Sequence, residues 1–165
     1  MIQIQVFESS LRMLDDAVRE VAVQKTQRSL EFEITSGWLL VSNSSRIIYT
    51  SFIDIPQASG EKVVIRGNNR TAGGVCLNRS RIGVVGKDSS SCIYKQGSVN
   101  YELVYPLLND TVNSECVAIR VVGGNNQGAG KGRHDILVTY DHLNESVEGG
   151  CGVVKKPTVK LEITA

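Results

Sequence analysis

Residues 123–135, GGNNQGAGKGRHD, set five glycines among amides and end on Lys131, Arg133, His134 and Asp135. Glycine backbones beside cations are the raw material of a phosphate cradle. A P-loop, however, needs G-x-x-x-x-G-K-[ST] followed by a helix. Here Asn125 holds the first glycine position, Gly132 replaces the hydroxyl that would bind magnesium, and the β-like run DILVTYD follows. Nucleotide binding is excluded on all three counts. What remains is a mobile loop between strands, tipped with cations suited to a surface anion such as a lipid phosphate. An ordinary solvated hairpin has the same composition.

Other chemistry is sparse. His134 and His142 lie eight apart without an H-E-x-x-H pattern, no G-x-S-x-G elbow occurs, and no carboxylates pair as an acid/base couple. Cys76, Cys92, Cys116 and Cys151 include no C-x-x-C pair, which argues against a zinc ribbon or a thioredoxin-like centre. The expectation is a protein that is not an enzyme and uses neither metal nor cofactor. The four cysteines can close two disulfides in any of three pairings. Asn-X-Ser/Thr sequons at Asn43, Asn69, Asn78, Asn109 and Asn144 also suit a secreted chain, although Ser- and Asn-rich loops produce sequons by accident. The start, MIQIQVFESS, has no signal-peptide pattern, as in a mature chain freed of its leader.

These residues need a scaffold, and 165 residues suffice for one domain, 1–165, with a real core. Charged residues make up 21% and the net charge is +1, so no basic stripe is available for nucleic acid. No apolar run approaches membrane-spanning length. IQIQVFE alternates like a strand. Ser10 to Lys25 then takes a helical period, with Leu11, Met13, Leu14, Ala17, Val18, Val21 and Ala22 on one face. Arg12, Asp15, Asp16, Arg19 and Glu20 fill the other face, Val23 is out of place, and Ser9 or Ser10 supplies the N-cap. Lys25 suits the negative end of the helix dipole.

Everything later reads as short β-branched runs: SLEFEI, GWLLVSN, RIIYTSF, EKVVIRG, GGVCLN, SRIGVVG, VNYELVYPLL, CVAIRVV, HDILVTYD and PTVKLEIT. Gly, Asn and Ser clusters separate them. The predicted fold is mainly β: a single antiparallel β-sandwich of about ten strands, with one N-terminal amphipathic helix packed on its outside through Leu11, Leu14, Val18 and Val21.

A strand and amphipathic helix leading into an all-β body resembles the actinoporin-type pore-forming cytolysins and the fungal fruit-body lectins. LVYPLLNDTVNSECVAIRVV is similar to the actinoporin segment in which a proline-bearing strand end leads through a polar loop to a Ser-Asn-Trp-Trp strand. Pro106 matches the proline, Ser114 the serine and Arg120 the arginine of the following strand. GKGRHD falls where the family carries a basic loop, VTYDHLN resembles its tyrosine-bearing strand at Tyr140, and VKLEITA its final strand. The resemblance implies a lipid or ligand site of Tyr105, Pro106, Ser114, Lys131, Arg133 and Tyr140. It also implies a pore helix, with Leu11, Leu14, Val18 and Val21 meeting lipid and Asp15 and Arg19 lining the lumen of a homo-oligomer. Sixteen residues rise ~24 Å, and extension through Ser29 would approach the ~30 Å hydrocarbon core.

Cys116 and Val117 stand at the matching tryptophan positions, and Leu107 and Leu108 follow the proline where the family has tyrosine. The target implied is therefore a different lipid, a glycan or a protein receptor, in place of phosphocholine bound through cation–π contacts. A pore former would be secreted and act at a target membrane. Two alternatives keep the helix in place. One is a lectin, secreted or cytoplasmic, whose IQIQVF start is similar to that of the fungal proteins and whose NDTVNS-type loops bind sugar hydroxyls. The other is a structural sandwich of an assembly.

Overall fold

The computed structural model describes residues 2–51, 62–67, 74–78, 80–96 and 100–164, with side chains from Glu8 onward. A single helix, α1 (Ile2–Gln24), precedes the strands. It begins eight residues before the expected Ser10, so IQIQVFE is helical and Ser9 and Ser10 lie inside the helix, not at its cap. Seven residues are too few to separate a period of 2 from one of 3.6. With neither Gly nor Pro between Ile2 and Gln24, nothing in the sequence interrupts the helix. It ends where Lys25 takes a left-handed conformation (φ 56°) and donates its N–H to the Val21 carbonyl at 2.8 Å. No helix among the described residues is long and apolar enough to cross a membrane.

Two sheets follow. The first holds β1 (Gln27–Ile34), β5 (Gly83–Val84), β8 (Leu108–Asp110), β9 (Glu115–Val117), β10 (Arg120–Gly123), β12 (Gly132–Glu148) and β13 (Gly152–Thr164). Its order is β1-β12-β13-β9-β8-β5, with β10 also on β13. The second holds β2 (Trp38–Ser42), β3 (Arg46–Thr50), β4 (Lys62–Arg66), β6 (Cys92–Gln96), β7 (Asn100–Val104) and β11 (Gly128–Ala129), in the order β11-β2-β3-β7-β6-β4. The protein is thus mainly β, with one N-terminal helix and two packed sheets.

The first sheet is mixed, which corrects the expectation of a purely antiparallel fold. β9 and β10 both run parallel to β13, and β5 runs parallel to β8. CVAIRVV reads as one strand in sequence. In the fold it lies along β13 in two pieces, joined where the Ala118 N–H meets the Lys155 carbonyl. GGVCLN is no strand: Val75–Leu77 form a turn that presents Cys76 to Cys92. The second disulfide joins Cys116 in β9 to Cys151 at the tip of the β12–β13 hairpin. The three open pairings thereby reduce to one.

The helix is a core element, not an outer cover. Leu11, Leu14, Ala17, Val18, Val21 and Ala22 are buried in one cluster with Phe32 and Ile136 of the first sheet and Ile47 and Leu103 of the second. The helical period correctly marks this stripe, except that Met13 is exposed. Val23, out of place in the pattern, is exposed as well. The four buried Leu and Val side chains at about 1.5–3 kcal/mol each give a burial term on the order of 10 kcal/mol, comparable with the whole stability of an ordinary domain.

Leu14→Ala should therefore destabilise the entire protein by about 2–5 kcal/mol, read as a lowered midpoint of a single cooperative denaturant transition. A helix that merely covers a finished sandwich would instead melt first, leaving the main transition in place.

Candidate functional site

The polar face of the helix is closed off at Asp15, while Asp16 on the same face stays exposed. Asp15, expected to line a pore, is fully buried. Its Oδ2 accepts a hydrogen bond from Ser91 Oγ at 2.8 Å and lies 3.3 Å from Arg66 and 3.4 Å from Arg19. Arg66 also reaches Asp16 at 2.6 Å and donates to the Arg12 carbonyl, while Arg12 donates to the Ile65 carbonyl in β4. Glu8 is tied to Lys95 of β6 at 3.1 Å. The charged stripe of the helix is thus bolted to the second sheet while its apolar stripe fills the core.

Burial pushes the Asp15 carboxyl above its ordinary range, with Ser91, Arg19 and Arg66 pulling the other way. The buried Tyr105 phenol is pushed well up, first by burial and then by the Asp15 charge. The Tyr105 hydroxyl and Asp15 Oδ1 are both buried without a hydrogen-bond partner among the described residues.

From Tyr105 the chain emerges into a cleft of about 590 Å³ at one end of the sandwich. Pro106 and Leu107 form part of its wall, and four cations converge on it from separate elements: Arg46, Arg81, Arg120 and Lys156. The tight β2–β3 turn supplies Ser44 and Ser45 to the wall. Ser45 sits at φ 62° with its hydroxyl accepting the Val121 N–H at 2.8 Å, so the turn and the start of β10 are positioned together. Three of the cations have carboxylate partners: Arg46 with Glu102 at 3.0 Å, Arg81 with Asp88 at 3.5 Å, and Lys156 with Glu148 at 3.6 Å. Arg120 has no ion-pair partner among the described residues, and no carboxylate lines the cleft among them. A small anion is what this arrangement can hold.

The residues singled out from the sequence are dispersed. Tyr105, Pro106 and Arg120 meet at the cleft. Ser114 closes an exposed turn between β8 and β9 at φ 54°. Tyr140 is half-buried on β12, with the Lys25 ammonium 5.8 Å from its ring centroid. Lys131 follows Gly130, against which Trp38 lies at the end of β2 away from the Ser44–Arg46 turn, and Arg133 opens β12 beside β1. Arg133 faces Glu31 at 3.7 Å with both side chains exposed, a weak pair.

The glycines of the basic loop now have a physical cause. The half-exposed Trp38 indole lies on Gly128 and Gly130, where an added Cβ would come within 2.8 Å and 3.0 Å of the ring. β11 pairs with β2, Asn126 Nδ2 donates to the Ile163 carbonyl, and His134 Nε2 bonds the Gly130 carbonyl at 2.8 Å. The expected mobile loop is thus pinned at several points. Sequence reading missed Arg46, Arg81 and Lys156, which lie far apart in the chain. They come from β3 of one sheet, β13 of the other and the turn before β5, so the packing of the two sheets unites them.

No protein-family model matches the chain, and comparison with curated proteins and with solved structures likewise gives no match.

The raised Asp15 carboxyl has a signed consequence. The native state holds that proton more tightly than the unfolded chain, so this stabilisation is complete below the ordinary value of 3.8 and is lost as pH rises through the native value. Asp15→Asn cannot titrate. Relative to the parent it should therefore gain stability as pH rises from about 3.5 to 6, measured by urea midpoints across that range. Parallel pH profiles for the two proteins would contradict this account of Asp15.

Proposed function

We propose that this chain is a secreted binding module that recognises a small acidic group, such as the carboxylate or sulfate of an acidic sugar at the end of a surface glycan, in the cationic cleft. One observation carries the reading: Arg46, Arg81, Arg120 and Lys156 converge with serine hydroxyls on one cleft, and Arg120 has no ion-pair partner among the described residues. Guanidinium groups match carboxylates and sulfates in fork geometry, and serine hydroxyls suit sugar hydroxyls. The volume, about 590 Å³, falls within the range of small-ligand sites. Secretion draws support from the two disulfides, which persist in oxidising compartments.

The accompanying fold reading is a single-domain sandwich of the cytolysin and lectin kind. Taking β9 and β10 as one interrupted strand, and setting aside the two-residue pieces β5 and β11, leaves ten principal strands. On this reading the helix stays in place, as in a lectin. Its release would uncover six buried apolar side chains and break the Asp15 ion pairs, so pore formation by a homo-oligomer draws no support from the packing.

Arg120→Ala should weaken binding to a carboxylated or sulfated saccharide by about 10- to 100-fold, corresponding to roughly 1.5–3 kcal/mol for a lost charge-assisted hydrogen bond. The measurement is titration calorimetry with acidic saccharides and their neutral counterparts. Equal binding of the two classes, or an undiminished variant, would remove the cleft as the site.

A second reading, association with an anionic membrane surface, is favoured by the exposed Trp38 lying on the glycine backbone that leads into Lys131 and Arg133, since indole and cations together suit the headgroup layer. Replacing Lys131 and Arg133 with Ala should lower affinity for phosphatidylserine vesicles by about 1 kcal/mol per charge, an effect that fades in high salt. Dye should stay inside the vesicles throughout. Its release would instead return the helix to the role of a pore-forming segment.

A further inference from the structure

Five of the ten asparagines carry Ser or Thr two residues on, whereas 24 serines and threonines in 165 residues would place one or two there by chance. Asn69 lies outside the described residues. Asn43, Asn78 and Asn109 are exposed, and Asn144 is half-buried on β12.

The three exposed asparagines share one end of the molecule. Asn43 occupies the β2–β3 turn immediately before the cleft residues Ser44 and Ser45. Asn78 precedes Ser80 and Arg81, also of the cleft, and its Oδ1 accepts hydrogen bonds from the Ser80 hydroxyl at 2.7 Å and the Ser80 N–H at 3.3 Å. Asn109 projects from β8 two residues after Leu107, a cleft residue, and the alternation of extended chain puts both on the same side. None of the three side chains belongs to either buried cluster, and none forms an ion pair or a contact between sheets. A bulky substituent on them would displace nothing. The two disulfides point to the oxidising compartments in which sequons meet glycosyl donors.

We infer that Asn43, Asn78 and Asn109 carry N-linked glycans that ring the mouth of the cationic cleft. The donor is a glycan activated as a lipid-linked phosphate ester. The asparagine amide nitrogen bonds to the anomeric carbon, the bond from that carbon to the phosphate oxygen breaks, the nitrogen gives up one proton, and the lipid phosphate leaves. No redox partner is involved. Such a ring screens the cleft from large surfaces while leaving it open to a single acidic sugar, and it makes this end the outward, solvated end. The Trp38 end carries no sequon among the described residues and remains bare.

The test is export of the full chain, behind a cleavable leader, from a host that performs N-glycosylation, with a control sequon in a C-terminal tag. Peptide N-glycosidase in ¹⁸O-water converts each occupied asparagine to a labelled aspartate, located by peptide mass mapping. Labels at 43, 78 and 109 are expected, with Asn43→Gln, Asn78→Gln and Asn109→Gln each removing one glycan from the intact mass. Any of the three sites unlabelled while the control is labelled overturns the ring. This readout is independent of ligand binding, so it stands or falls separately from the acidic-sugar reading. Substituting Gln at exposed positions leaves the core untouched, and the secreted yield of each variant reports folding.

Discussion

Asp15 is an acid on a helix that has no access to water, and the arrangement around it decides how the two sheets and the helix meet. A buried carboxylate is costly unless partners surround it. Here Arg19 comes from its own helix, Arg66 from β4 and Ser91 from the residue before β6, so satisfying one side chain fixes the helix against the second sheet. The apolar stripe a third of a turn away then meets the first sheet. Two kinds of force thus hold adjoining sides of one helix. Apolar burial supplies most of the energy, and the ion cluster supplies the rotational setting.

The same cluster connects the core to the cleft. The Tyr105 hydroxyl sits beside Asp15, and its neighbour Pro106 is already cleft wall. The floor of the site is therefore continuous with the most rigid part of the molecule, while its cations come from turns and strand ends held by local bonds such as Val121 N–H to Ser45 Oγ. This is the usual division of labour in a β-sandwich, with a stiff interior carrying variable loops at its ends. At the opposite end the same economy appears in another form, where the glycines of the basic loop exist so that an indole can lie flat on backbone.

Much of the fold was legible in the sequence because burial imposes a period. Leu11, Leu14, Val18 and Val21 marked the helix face, and the β-branched runs located β1, β2, β3 and β4 to within about two residues, whereas VNYELVYPLL ran β7 on into the start of β8. The failures share a cause. Asp15 read with Asp16 and Glu20 as one polar face because a sequence does not show that Arg66 and Ser91, far along the chain, enclose Asp15 while Asp16 stays exposed. CIYKQ, the strand β6, went unread because its apolar residues do not alternate. The hairpin arms of β12 and β13 beyond Asp141 were missed because their exposed, charged residues carry no burial pattern. Of the residues lining the cleft, Tyr105 and Pro106 were singled out through a likeness of sequence, and Arg120 was matched without being assigned to a site. Arg46, Arg81 and Lys156 were not, since their meeting depends on how the two sheets and a turn pack together.

The chain order of the first sheet has a consequence for how the molecule comes into being. β1 is made early, yet the strand it pairs with, β12, lies about a hundred residues later, and β13 after that. The helix, made before any of these strands, packs on them too. A polypeptide emerging in sequence therefore cannot close this core until β13 has appeared. Contacts of such long sequence separation form slowly. While they are pending, the nascent chain stays open, its early asparagines and cysteines accessible to whatever enzymes attend it. Folding of this core waits on the synthesis of β13.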